Sequence, residues 1–210
     1  MNFSFYESRF VPNDKYVNVI QRETTPQTKP IVSIENVVAS ATINQDLDLD
    51  DVQKKFPKVE YNPEQFPGAV FRLTNPKTAT LLFRTGKMVC TGSKSADMAK
   101  KAVKTVVENL REKKIKIDND ATVTIQNIVA SINLGGKIHL EKAARTVPRS
   151  MYEPEQFPGL IHRMLDPKVV ILIFASGKLV CTGGKTAEDV YRAVNSLHVL
   201  LEEKDLMEYQ

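Results

Sequence analysis

Apolar and polar positions follow the same itinerary twice along the chain. Ile31–Ile43 and Val123–Leu134 alternate and are rich in β-branched residues, so each reads as a strand. Short amphipathic helices are predicted over Leu47–Phe56 and Ile138–Val147, the first with Asp46 as N-cap, and Pro57 and Pro148 end them. A turn-rich loop, Tyr61–Gly68 or Tyr152–Gly159, then enters a strand at Ala69–Leu73 or Leu160–Met164. Asn75-Pro76-Lys77 and Asp166-Pro167-Lys168 read as hairpin turns. Two further strands follow, divided at Thr85-Gly86-Lys87 and Ser176-Gly177-Lys178. A long helix closes each unit, with Ala99, Ala102, Val103, Val106, Val107 and Leu110 on one face; Val190, Val194, Leu197 and Leu201 repeat that spacing. Each unit is therefore α+β, a five-stranded, mostly antiparallel sheet with two helices.

The two units are copies. Tyr61-Asn-Pro-Glu-Gln-Phe-Pro-Gly68 matches Tyr152-Glu-Pro-Glu-Gln-Phe-Pro-Gly159, and Phe83-Arg-Thr-Gly-Lys-Met-Val-Cys-Thr-Gly92 matches Phe174-Ala-Ser-Gly-Lys-Leu-Val-Cys-Thr-Gly183. Asn36-Val-Val-Ala-Ser40 matches Asn127-Ile-Val-Ala-Ser131, and every pair is offset by 91 without a gap. Between Ile34 and Lys94, 26 of 61 positions equal the residue 91 further on, which chance does not produce. The expected organisation is an N-terminal extension over 1–30, a first repeat over 31–122 and a second over 123–210.

Two helices per unit can cover one face of such a sheet, and the other face should then alternate to polar. Instead Ala79-Thr-Leu-Leu-Phe83 and Val170-Ile-Leu-Ile-Phe174 are largely apolar on both parities. Val89 and Thr91 lie opposite Met88 and Cys90, as Val180 and Thr182 lie opposite Leu179 and Cys181. One parity packs under helices; the other leaves a broad apolar surface, which on a soluble protein is a binding surface or an aggregation hazard. Asn36, Asn127, Thr91 and Thr182 put short neutral donors and acceptors on it, suited to minor-groove base edges. Arg72, Lys87, Lys94, Arg163, Lys178 and Lys185 lie at its borders, within reach of flanking phosphates.

Charge adds little to this picture. The chain carries +4 in 210 residues; 34–124 hold 15 basic and 12 acidic side chains, 125–210 hold 10 of each, so the first half is the more basic. No apolar run suits a membrane span and no secretory signal opens the chain. With Cys90 and Cys181 alone, a disulfide framework is not expected, and an intracellular, reducing compartment fits. Both cysteines fall on the helix-covered parity and are expected to be buried. His139, His162 and His198 are scattered without companions, so neither a metal nor another cofactor is expected. Gly183-Gly184-Lys185-Thr186 lacks the earlier glycine of a phosphate-binding loop, since Leu179 occupies that place. No nucleophile and base pair up, so the chain reads as a non-enzyme.

The duplicated Glu-Gln-Phe-Pro-Gly loops, the Leu-x-Phe-x-x-Gly-Lys-x-Val-x-Thr-Gly segments and the paired Asn-x-Val strands resemble the archaeal type of the TATA-binding protein family over about residues 31–203. The resemblance implies a two-fold pseudo-symmetric saddle, a ten-stranded curved antiparallel sheet with four helices on the convex face. It implies that Phe66 with Phe83, and Phe157 with Phe174, wedge between base steps and kink the duplex, flanked by Pro67 and Pro158. An apolar ring can replace a lost base stack, worth roughly a few kcal/mol per step. It assigns central base-edge contacts to Asn36, Thr91, Asn127 and Thr182, and groove contacts to Val38, Leu81, Val89, Val129, Val170, Leu172 and Val180. The implied partners are double-stranded promoter DNA carrying a TATA box, transcription factor B and the RNA polymerase initiation complex. Glu153 and Glu155 mark the loop facing transcription factor B, where the first copy has Asn62 and Glu64.

The chain departs from the family pattern in three places. It ends Met-Glu-Tyr-Gln without an acidic tail, it carries about 30 residues before the first strand, and cysteines replace aliphatic residues at 90 and 181. The aromatic-rich extension is expected to be a flexible or docking tail, one that could cover the open face when DNA is absent. The function expected is promoter recognition and bending by a monomer that could dimerise when free. Two alternatives remain open: a paralogue whose saddle binds a protein, and a repair enzyme carrying the same half-domain.

Overall fold

The computed structural model describes residues 28–209. The expectations for the N-terminal extension concern residues that lie, up to Gln27, outside this range.

The chain runs β1 (Ile31–Thr42), α1 (Leu49–Lys55), β2 (Gly68–Thr74), β3 (Lys77–Phe83), β4 (Lys87–Ser93) and α2 (Ala96–Glu112). The second half follows as β5 (Thr122–Asn133), β6 (Lys137–Ile138), α3 (Leu140–Thr146), β7 (Ser150–Met151) and β8 (Leu160–Arg163). It continues with β9 (Val170–Ile173), β10 (Lys178–Gly184), α4 (Ala187–Glu203) and β11 (Met207–Glu208). Nine strands form one antiparallel sheet in the order β2-β3-β4-β1-β5-β10-β9-β8-β7; β6 and β11 form a separate pair. The sheet therefore has nine strands rather than the ten expected. Met151 pairs with Ile161 in β7 and β8, and the positions 91 earlier, Glu60 and Val70, keep the same pairing only as an isolated bridge. The tenth strand has shrunk to one pair. Both hairpin turns hold a cis peptide, Asn75–Pro76 and Asp166–Pro167.

Helix ends follow from local side chains. Ser95 caps α2 by accepting from the Met98 N–H, and Thr186 forms a reciprocal capping box with Asp189 at α4. The N-cap of α1 is Asp48, whose carboxylate accepts from the N–H groups of Asp50 and Asp51; it is not Asp46. The reason is tertiary. The Leu47 N–H is held by the Arg84 carbonyl at 2.8 Å, so the chain turns into the helix only after that bond.

All four helices contribute to one core beneath the sheet. The predicted helical faces are buried, from Ala99 to Leu110 in α2 and from Val190 to Leu201 in α4. They meet Val37, Ala39, Leu82, Met88 and Cys90 from the first half and Ile128, Ala130, Ile171, Ile173, Leu179 and Cys181 from the second. His162 and His198 are also buried among the core side chains. Among the described residues no helix is long and apolar enough to cross a membrane, and no cluster of metal-ligating side chains occurs.

Burial governs thiol chemistry here. Desolvation pushes the Cys181 thiol up to about 11 and raises that of Cys90 as well, where thiolate is disfavoured and access is closed. Native protein at pH 8 is expected to react negligibly with Ellman's reagent within minutes, and to release both thiols after guanidinium denaturation. Rapid native labelling would contradict this packing.

Candidate nucleic-acid interface

The sheet face away from the helices is built by cross-strand register. One row runs Asn36–Val129–Thr182–Val170–Arg163 across β1, β5, β10, β9 and β8. Its counterpart places Asn127 opposite Val38 and Thr91 opposite Ala79, which faces Arg72. A second pair of rows is Ser40–Val89–Leu81–Val70 and Ser131–Val180–Leu172–Ile161. Asn36, Val38, Leu81, Val89, Thr91, Asn127, Val129, Val170, Leu172, Val180 and Thr182 are all partly accessible, whereas their sequence neighbours inside the strands are largely buried. The open face thus carries every groove position that the sequence suggested. It also carries Ala79, Val70, Ile161, Ser40 and Ser131, which the pairing register alone reveals.

A bulge in each central strand shapes this face. Register slips between Ile34 and Asn36 in β1 and at Gln126 in β5, the positions 35 and 126 again differing by 91. The slip turns Val32 and Ile34 toward the core while Asn36 and Val38 face outward. A further bulge falls at Gly92 and Gly183, with φ of +96° and +103°, a region that favours glycine. The two devices interlock. Asn36 Oδ1 accepts from the Gly92 N–H at 2.8 Å, and Asn127 Oδ1 accepts from the Gly183 N–H at 2.7 Å. That fixes each amide with its NH2 group beside a threonine hydroxyl, Asn36 Nδ2 to Thr91 Oγ1 at 3.1 Å and Asn127 Nδ2 to Thr182 Oγ1 at 3.2 Å. One N–H of each amide is left to donate outward. Two outward donors at the centre of an apolar face are what adenine N3 and thymine O2 would accept from.

The phenylalanines come together in pairs. Phe66 packs on Phe83 with centroids 5.9 Å apart at 65°, and Phe157 on Phe174 at 5.9 Å and 66°. Gly68 and Gly159 make room for them: a Cβ there would lie 2.7 Å from Phe66 or Phe157 and 3.1 or 3.0 Å from the second ring. The Phe-Pro-Gly order therefore sets each pair, edge to face, at a loop root. Phe66 is 39 % exposed, unusual for a phenylalanine without a ligand.

The rim is less uniform than its composition. Arg72 Nε pairs with Glu60 at 3.1 Å and Lys94 Nζ with Glu35 at 2.9 Å. Lys87, Arg163, Lys178 and Lys185 make no ion pair among the described residues. The half that is more basic in sequence thus has two of its three rim cations engaged. Glu35 was not foreseen. Its bulge lifts it onto the open face, where the Ser131 hydroxyl at 2.6 Å, then Lys94, hold its carboxyl down to about 2. The face is therefore not wholly uncharged, and its equivalent Gln126 donates to Ser40 instead. Glu153 and Glu155 are exposed on the Tyr152–Gly159 loop.

An internally duplicated α+β sheet, clad with helices on one face and, among the described residues, bare on the other, defines a saddle protein. The family described as "Transcription factor TFIID (or TATA-binding protein, TBP)" matches residues 31–113 and 122–204. The chain belongs to this family. It is 52 % identical over 186 residues to the TATA-box-binding protein of Pyrodictium occultum, spanning 88 % of this chain and 94 % of that one. Against the protein of the same name from Methanothermobacter thermautotrophicus it is 49 % identical over 176 residues, 84 % and 97 % of the two chains. The solved structure "Methanococcus jannaschii TBP" superposes with a TM-score of 0.76 at 45 % identity, covering 82 % of this chain and 98 % of that chain.

The asparagine bond should be measurable apart from any ligand. Asn127→Ala strands the Gly183 N–H and is expected to cost about 1 kcal/mol, read as a lower urea midpoint with unchanged slope. Asn127→Asp keeps the acceptor and should recover most of that loss. Equal destabilisation by both would show that the amide does not hold the bulge.

Proposed function

We propose that the open face binds the minor groove of A/T-rich promoter DNA and bends it, so that the protein acts as a general transcription initiation factor. The observation that carries this reading is the pairing of two phenylalanine wedges with two outward amide donors on one uncovered apolar face. In this reading Phe66, Phe83, Phe157 and Phe174 enter base steps from either end. Asn36, Thr91, Asn127 and Thr182 meet base-edge acceptors at the centre. Val38, Leu81, Val89, Val129, Val170, Leu172 and Val180 cover the opened groove floor, and Arg72, Lys87, Lys94, Arg163, Lys178 and Lys185 reach phosphates. Arg72 and Lys94 give up Glu60 and Glu35 to do so. These exposed pairs are worth little, on the order of 1 kcal/mol or less, so exchange for phosphate is cheap.

Selectivity then rests on deformability more than on base identity, since the minor groove distinguishes A·T from G·C and little else. The similarity to TATA-box-binding proteins of archaeal relatives supports this assignment. Glu153 and Glu155 mark the half that meets transcription factor B, which with RNA polymerase completes initiation; acidic side chains there suit a basic partner surface. The protein works as a monomer on DNA, without cofactor or catalytic step.

A promoter duplex labelled at both ends reports affinity and end-to-end energy transfer together. Selective binding over a scrambled duplex with a large bend is expected. Phe157→Ala with Phe174→Ala should abolish most of the bend at that end and weaken binding roughly a hundredfold, about 3 kcal/mol. Failure of the unaltered protein to bind selectively, even with transcription factor B added, would favour a saddle that binds protein.

A further inference from the structure

The first half holds an arginine in a site that the second half leaves empty. Arg84, just after β3, places Nη2 2.7 Å from Asp50 Oδ2 and 3.0 Å from the Tyr61 hydroxyl, with Nε 3.2 Å from the same hydroxyl. The Asp50 carboxylate and the tyrosine hydroxyl raise its pKa further. The positions 91 further on are Glu141, Tyr152 and Ala175. The acid and the tyrosine are retained, and the guanidinium is gone. In its place lies a cleft of about 570 Å³ lined by Glu141, Tyr152 and Ala175, with His139, Lys142 and Glu208 around it.

The charges around the cleft decide what fits it. Lys142 Nζ is taken by Asp205, donating to its carbonyl at 2.9 Å and lying 3.5 Å from its carboxylate. His139 Nε2 lies 4.0 Å from Glu208. Glu141 makes no ion pair among the described residues, and the Tyr152 hydroxyl makes no hydrogen bond among them. A carboxylate and a hydroxyl without an ion pair or hydrogen bond among the described residues therefore line this cleft, at the positions that correspond to the two groups binding Arg84 in the duplicate copy. A planar guanidinium can serve both at once, whereas an ammonium is a point charge without that fork. Tyr152, which lines the cleft, also begins the loop that carries the exposed Glu153 and Glu155.

We propose that this cleft receives one arginine side chain of a protein partner, whose guanidinium takes the place that Arg84 fills in the first half. Identifying that partner as transcription factor B rests on the reading of Glu153 and Glu155 given above. The duplication thus makes one copy self-occupied and the other available, and only the second half offers this contact.

Two measurements test the cleft and the partner separately. In the first, the full chain is titrated with N-acetyl-Gly-Arg-Gly-amide and with its lysine counterpart, followed by NMR. Shifts at Glu141, Tyr152 and Ala175 that favour the arginine peptide and vanish in Ala175→Arg are expected. Absence of arginine-selective shifts there overturns the proposal. In the second, assembly of transcription factor B on the protein–promoter complex is measured. Ala175→Arg copies the first half, so it should fold, bind and bend DNA as before, while affinity for transcription factor B falls about tenfold or more. Glu141→Gln with Tyr152→Phe should do the same, and Arg84→Ala should leave that affinity unchanged. Unchanged assembly with Ala175→Arg removes the factor from the cleft. No assembly with the unaltered protein instead overturns the partner reading, and the peptide titration still decides the cleft.

Discussion

Coverage on one side only is the constraint from which the rest of this structure follows. Four helices bury one face of the nine-stranded sheet, and their apolar stripes are spent on that core. Among the described residues no helix meets the opposite face, yet valine and leucine line it in register. Burying an apolar side chain is worth roughly 1.5–3 kcal/mol, so a face of this kind retains a large unrealised gain until a ligand arrives. The polar groups on it are few and are held in fixed poses. They add direction to a surface whose binding energy is otherwise non-directional.

Direction comes from backbone irregularity. A regular strand would have kept Ile34 and Asn36 on the same face; one extra residue at position 35, and again at 126, lets the strand serve the core at one end and the open face at the other. The glycine bulges at 92 and 183 then supply the N–H groups that lock the asparagine amides. Outward donors here are thus a product of two defects in the ladder, each useful only with the other.

Much of this was legible in the sequence because the chain states it twice. The 91-residue offset duplicated the asparagines and the threonines, the family resemblance paired the phenylalanines, and strand parity assigned Cys90 and Cys181 to the core. What escaped notice depends on contacts between distant segments. Asp48 rather than Asp46 caps α1 because Leu47 is tied to Arg84, and the tenth strand shrinks to the Glu60–Val70 bridge. Glu35 reads as an ordinary polar residue until the bulge brings it to Ser131 and Lys94. The difference between Arg84 and Ala175 looks like drift until the tyrosine and acid beside each are seen in space. Repeats display what the copies share; their differences acquire meaning only through geometry.

The seam between the halves has a mechanical consequence. β1 and β5 are joined by eleven paired positions at the middle of a continuous sheet, and α2 reaches across to β5. The halves are therefore joined through the sheet itself as well as by the segment between α2 and β5. On the proposed reading, a seam of this kind resists opening, so a mismatch in curvature with a duplex falls largely on the duplex. Under that reading the face would rank sequences by how cheaply they deform, a gauge of compliance in its ligand.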